Sequence, residues 1–102
     1  MKIKAVNIEI PSEALNDLCR RYQVRELALF GSVLRDDFRP DSDIDILVTF
    51  APTAKIGFIA FNQMQRELST LLQRPVDLVP KQGLKPVIKQ DVLVEAQVIY
   101  AA

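Results

Sequence analysis

Apolar residues along this chain recur in two rhythms, and the switches between them mark its elements. After Pro11 and Ser12, the residues Ala14, Leu15, Leu18, Cys19 and Tyr22 repeat at three and four, which predicts a helix with one inward face. "ELALF" (26–30) and "DIDILVTF" (43–50) read as buried strands, stopped by Gly31 and Pro52. Gly57, Phe61, Met64, Leu68, Leu71 and Leu72 then lie on one face of a long helix, roughly 55 to 73. "PVDLV" (75–79) is a short third strand between two prolines. Pro86 suits the first position of a last helix, with Val87, Ile88, Val92 and Ala96 facing inward. Its tail, "VIYAA", is β-branched and reads equally well as extended chain. "IKAVNIEI" (3–10) is either a short edge strand or a loose arm. Helices alternate with strands, so the expected class is α/β, one small mixed sheet with helices packed on it.

Size and composition narrow the reading. The 102 residues hold no internal repeat, linker or low-complexity tract and are expected to form one domain, 1–102. Thirteen basic and thirteen acidic side chains cancel, so no global field draws the chain to nucleic acid or to an anionic membrane. No apolar run is long enough to span a bilayer and no signal-peptide pattern opens the chain. The one cysteine, Cys19, has no internal partner and is expected to pack, which fits a reducing cytoplasm. There is no histidine, which excludes Ser-His-Asp and Cys-His machinery and disfavours a zinc site.

The chemistry concentrates in "LFGSVLRDDFRPDSDIDILVTF" (29–50), where five aspartates fall between Asp36 and Asp45. Side chains at i and i+2 of a strand share a face, so Asp43 and Asp45 project together while Ile44, Ile46 and Val48 project oppositely. Two adjacent carboxylates repel, and a divalent cation between them is the simplest relief. Hard oxygen ligands without histidine or thiol favour Mg²⁺, or Mn²⁺, over zinc. Taken alone, an Asp-x-Asp is more often the solvated start of a strand. Asp77 changes that weighting: it is the polar residue in an otherwise apolar strand, and Val76 and Leu78 face away from it. Three carboxylates on two strands can hold two metal ions, and such sites stabilise both attacking and leaving oxygens in displacement at phosphorus. Gly31 permits a tight turn with close approach of backbone to a ligand, Ser32 opens a helical turn that favours an anion, and Arg35 lies one turn further on. Asp36, Asp37, Arg39 and Asp41 fit a solvated loop closed by Pro40. Tyr22, Tyr100 and the phenylalanines fit core or interface better than base-stacking platforms.

Gly31-Ser32, ten intervening residues, then Asp43-x-Asp45 resemble the signature of the polymerase-β-like nucleotidyltransferase superfamily. "GSVLRDDFRPDSDIDILV", the helix before "RPVDLV", and "GLKPVIKQDVLVEAQVIY" resemble its minimal nucleotidyltransferases (MNT) from about residue 12 to 100. The resemblance implies that fold, with Asp43 and Asp45 binding both metals, Asp77 binding one and accepting the incoming hydroxyl's proton, and Gly31-Ser32 holding the triphosphate. Val33, where a polar or aromatic residue is common, and Asp36, where glycine is frequent, depart from the pattern. The subfamily is similar to the antitoxin halves of HEPN/MNT toxin–antitoxin modules. The expected activity is therefore transfer of AMP from ATP to a tyrosine hydroxyl of a cognate HEPN toxin, in a hetero-oligomer and without nucleic acid or membrane. The rival expectation is a non-catalytic antitoxin that occludes the toxin. A third, an antibiotic-modifying transferase, needs an acceptor pocket that only oligomerisation could supply. The apolar surplus in "VLVEAQVIYAA" is expected to form a protein interface.

Overall fold

A hairpin with a long connection organises the molecule. Val24–Phe30 (β3) and Ile44–Phe50 (β4) pair antiparallel, with Phe30 opposite Asp45 and Leu27 opposite Val48. The computed structural model describes residues 2–4, 8–35, 38–39 and 41–102, the first three by their backbone alone. Asp36, Asp37 and Pro40 lie outside the described residues, so the loop reading of these three is not addressed. Lys2–Lys4 (β1) pairs antiparallel with Glu9–Pro11 (β2). The described residues of the N-terminal stretch thus form a separate two-stranded ribbon that does not join the main sheet. Ser12–Arg21 forms α1, Phe58–Leu72 α2, Val76–Pro80 β5, Pro86–Glu95 α3 and Gln97–Ala101 β6. The main sheet runs β5-β4-β3-β6, with β4 and β5 parallel and the other neighbours antiparallel. The mixed α/β class is as expected.

The sheet's two faces are unequal, and strand alternation sorts its residues between them except at two register shifts, between Val24 and Glu26 and between Leu27 and Ala28. Leu27, Leu29, Ile44, Ile46, Val48, Val76, Leu78 and Ile99 lie in the main core, with Leu15, Leu18 and Cys19 from α1 and Met64 and Leu68 from α2. A pin on the surface holds the two helices together: the Tyr22 hydroxyl donates to Glu67 Oε2, and Arg21 Nη1 reaches Glu67 Oε1 at 3.0 Å. The opposite face carries a smaller cluster, Ala28, Leu47 and Leu84, against which Phe30, Val79, Val92, Leu93 and Ala96 pack.

α3 lies on this second face, and here the predicted helix face needs correction. Val92 and Ala96 do turn inward, but Val87 is 82% exposed and Ile88 46% exposed. With Pro86 at its first position the helix starts as predicted. Its apolar residues, however, run all round it, so periodicity could not choose the buried side. The "VIYAA" tail resolves as strand β6, and Ile99 enters the main core. α2 begins at Phe58, later than the predicted 55, because Gly57 is its extended N-cap.

Sheet edges matter in so small a fold. The outward N–H groups of β5 are capped by α2: Val76 N–H donates to Ser69 Oγ at 3.0 Å and Leu78 N–H to Gln65 Oε1 at 2.9 Å. Ser69 Oγ in turn donates to the Gln65 carbonyl at 2.9 Å.

Candidate active site

The strand register delivers three carboxylates to one end of the second face. In the parallel pair, Asp45 stands directly beside Asp77, as Ile44 stands beside Val76. Asp43 precedes β4 by one residue and shares the parity of Asp45. The Ile44 N–H donates to the Pro75 carbonyl at 2.9 Å, which ties the two strands together at this end. Asp43 and Asp77 are exposed, while Asp45 is half-buried between them. Burial first, then the Asp77 and Asp43 carboxylates, push the Asp45 carboxyl above its ordinary range; Arg35 partly offsets this. Arg35 is therefore close enough to be felt by the carboxylates, although it stands in extended backbone after the turn rather than on a continuing helix.

Gly31 completes the fourth side. Its φ of +77° lies in the left-handed region, which ends β3 and opens the 3-10 turn Gly31–Leu34. A Cβ built there would overlap Asp45 Oδ2 and come within 3.2 Å of its carboxyl carbon. Glycine is thus required twice, by the backbone angle and by the carboxylate against it. Ser32 Oγ lies 3.4 Å from the Asp43 carbonyl and donates to it, linking the turn to the start of β4. Val33, unusual by comparison with the superfamily pattern, is fully buried and anchors the turn in the main core.

The donors are all hard oxygens, which fits Mg²⁺ or Mn²⁺. Among the described residues, however, no three acidic or thiol side chains are gathered tightly enough to close on one ion. The arrangement is not a preformed cage. It suits a divalent cation that keeps water ligands and takes others from a substrate's phosphates, the usual habit of Mg²⁺.

Two parts of the site carried no sequence signal. A cleft of about 520 Å³ opens between the Phe30-Gly31-Arg35 corner and α3, lined there by Ile88, Asp91 and Glu95. Its helical wall depends on how α3 docks, which the all-round apolar pattern does not encode. Beyond Asp43, Arg74 stacks on Phe38, with 4.6 Å from guanidinium carbon to ring centroid, and donates to the Arg39 carbonyl at 3.0 Å. That bracket joins residues 35 positions apart and holds the loop beside the site. A second cleft, of about 500 Å³, lies at the far end of β4 around Phe50, Pro52, Lys81 and Lys89 and contains none of the carboxylates.

A turn with a left-handed glycine beside an acidic strand pair, on a four-stranded mixed sheet, defines a nucleotidyltransferase. The match agrees: residues 11–99 fit the nucleotidyltransferase domain family, and the chain belongs to it. More particularly, it is a homologue of the minimal nucleotidyltransferases. It is 40% identical over 79 residues to the protein adenylyltransferase MntA of Thermococcus cleftensis, covering 78% of each chain. A solved minimal nucleotidyltransferase matches with TM-score 0.68 and 36% identity, over 83% of this chain and 85% of that one. A chain from a toxin–antitoxin crystal structure with AMP-PNP shares the fold, with TM-score 0.71 and 24% identity over 91% of this chain and 75% of that one. The chain is therefore a nucleotidyltransferase by family. No described helix is long and apolar enough to cross a membrane.

Proposed function

We propose that this chain is an antitoxin that transfers AMP from ATP to a tyrosine hydroxyl of a cognate HEPN-type toxin, with a requirement for divalent cations. The single observation that carries the reading is Asp45, wedged between Asp77 and Asp43 and against a glycine with no room for a side chain. Isolated half-buried carboxylates at such spacing are costly, and a site for cations and phosphates explains why they persist. The relatives support the substrate: the Thermococcus homologue is a protein adenylyltransferase, and a fold neighbour comes from a complex of a tri-AMPylated Shewanella oneidensis HEPN toxin with an MNT antitoxin.

In this reading the triphosphate lies along Gly31-Ser32, where the missing Cβ leaves room for the Asp45 carboxylate against the turn, and Arg35 balances its charge. The rest of the nucleotide occupies the cleft between Phe30 and α3. Asp43 and Asp45 would hold two Mg²⁺ ions, and Asp77 one of them; when bound, these ions stabilise charge on the attacking and leaving oxygens. The tyrosine oxygen attacks the α-phosphorus from the Asp77 side, a new P–O bond forms, and the bond to the β-phosphate breaks. Pyrophosphate leaves, and Asp77 accepts the tyrosine proton. In this reading the toxin brings the nucleophile. Exposed Val87 and Val94 on α3, beside the cleft, offer it apolar contact.

Intact-mass spectrometry of the toxin after incubation with this protein, ATP and Mg²⁺ should show adenylyl additions. Asp43→Asn/Asp45→Asn should abolish them. If that double variant still protects cells from the toxin as well as the wild type does, the antitoxin works by occlusion and the catalytic reading fails.

A further inference from the structure

Of the three carboxylates at the site, Asp43 is the one outside the strands. Asp45 and Asp77 lie within β4 and β5 and stand side by side in the parallel register. Asp43 precedes β4 by one residue and is exposed, so burial does not fix it and it makes no strand pair of its own. Its backbone is held from three sides instead. Ser32 Oγ donates to its carbonyl, 3.4 Å away, and the N–H of the next residue, Ile44, donates to the Pro75 carbonyl at 2.9 Å. On the third side, Arg39 and Ser42 close a turn on each other. The Ser42 N–H donates to the Arg39 carbonyl at 3.0 Å, and the Arg39 N–H donates to Ser42 Oγ at 3.1 Å. Arg74, next to Pro75, fastens that turn. Its guanidinium lies over the Phe38 ring, 4.6 Å from the centroid, and its Nη1 donates to the same Arg39 carbonyl at 3.0 Å.

We infer that Arg74 is a positioning residue for the cation site: by clasping Phe38 and Arg39 it holds the turn that leads into Asp43, and so keeps that carboxylate beside Asp45. The inference rests on the proposed reading of Asp43 as a cation ligand. Arginine suits the task, because a planar guanidinium can lie on a ring and donate from its edge at once, whereas a lysine ammonium has no flat face. Among the described residues no carboxylate forms an ion pair with Arg74, so its charge is spent on the ring and the carbonyl. Two effects of Arg74 on a bound cation then have opposite signs. As a positive charge beyond Asp43 it repels a divalent cation, so removing it would tighten cation binding. As a clasp it orders a ligand before the cation arrives, so removing it would weaken binding. Arg74 is part-exposed, and its charge is screened by water and salt. Groups that orient metal ligands, by contrast, typically matter by about 10- to 100-fold in metal affinity. The clasp effect is the larger one.

Calorimetric titration of the full-length protein with the ATP analogue AMP-PNP, repeated over a range of Mg²⁺ concentrations, reads the cation requirement without turnover. Each variant is titrated at a temperature where circular dichroism shows it folded. In Arg74→Ala the Mg²⁺ concentration that gives half-maximal AMP-PNP affinity should rise by about 10-fold. Saturating Mg²⁺ should then restore affinity close to that of the wild type, which a general loss of structure would not allow. Phe38→Leu keeps an apolar side chain but removes the ring, and should shift the Mg²⁺ midpoint in the same direction. Combining the two should add little, since both break one clasp. Asp43→Asn in the same titration separates this inference from the reading beneath it. If Asp43→Asn changes the Mg²⁺ dependence while Arg74→Ala and Phe38→Leu leave the midpoint unchanged or lower it, the cation site stands and the clasp is overturned. If Asp43→Asn keeps the wild-type midpoint, the cation reading of Asp43 fails and the inference falls with it.

Discussion

Asp45 is the residue on which the others converge. Its carboxyl is pushed up by burial and by Asp77 and Asp43, so the folded protein holds that proton more tightly than the unfolded chain does. Stability contributed by that proton is full below the unfolded-state value and is lost as pH rises through the raised folded-state value. Asp45→Asn cannot ionise, so its stability should not fall over this acid-to-neutral window as the wild type's does, and at neutral pH it should equal or exceed the wild type. Urea midpoints measured against pH for both proteins check this; parallel pH profiles would show that Asp45 bears no such penalty. The gain comes without activity, since the same carboxylate belongs to the proposed metal site. Cys19 shows the opposite kind of burial. Desolvation alone pushes its thiol up to about 12, so it stays a small apolar filler at neutral pH.

Among the elements, β5 depends on a helix for more than packing. Gln65 and Ser69 sit one turn apart on α2 and spend their side chains on the strand's outer N–H groups. Removing either leaves a part-buried donor unmet, which costs about 1 kcal/mol for an ordinary neutral hydrogen bond. Gln65→Ala and Ser69→Ala should each lower stability by about that much in urea unfolding. Gln63→Ala, exposed on the same helix, should stay within about 0.5 kcal/mol of the wild type. Equal losses at all three positions would reduce the caps to a general loss of helix surface. Because Asp77 lies on β5 between the two capped residues, this edge also sets where the third carboxylate stands.

For the whole molecule, three carboxylates, Asp43, Asp45 and Asp77, are gathered at one end of a sheet in a chain with no net charge. In the proposed reading, repulsion there would be relieved by cations and a triphosphate, and binding to the folded state alone would stabilise it by mass action. At ligand concentrations about 100-fold above Kd the gain is about 2.7 kcal/mol. In a domain of this size that is an upward Tm shift on the order of 10–20 °C. ATP with Mg²⁺ should produce such a shift in the wild type, EDTA should remove it, and Asp43→Asn/Asp45→Asn should not show it. A shift of equal size in the double variant would move nucleotide binding away from these carboxylates.

The local patterns were sufficient wherever one face of an element is apolar and the other is not. β4 was legible because Ile44, Ile46 and Val48 alternate with Asp43 and Asp45, and that same alternation placed Asp77 opposite Val76 and Leu78. Gly31 was legible as a turn, since a residue that ends a strand before a helical turn favours a positive φ. The face of α3 was not legible, because Val87, Ile88, Val92, Leu93 and Val94 surround the helix and only docking on Ala28 and Leu47 selects Val92 and Leu93. The separate ribbon of β1 and β2 was hidden for a related reason: short apolar alternation specifies a strand but not its partner. The parity of the three aspartates is a property of the chain, whereas their meeting depends on the parallel register of β4 with β5. That register places Asp45 beside Asp77 through contacts between residues 32 positions apart, a separation at which side-chain periodicity carries no information.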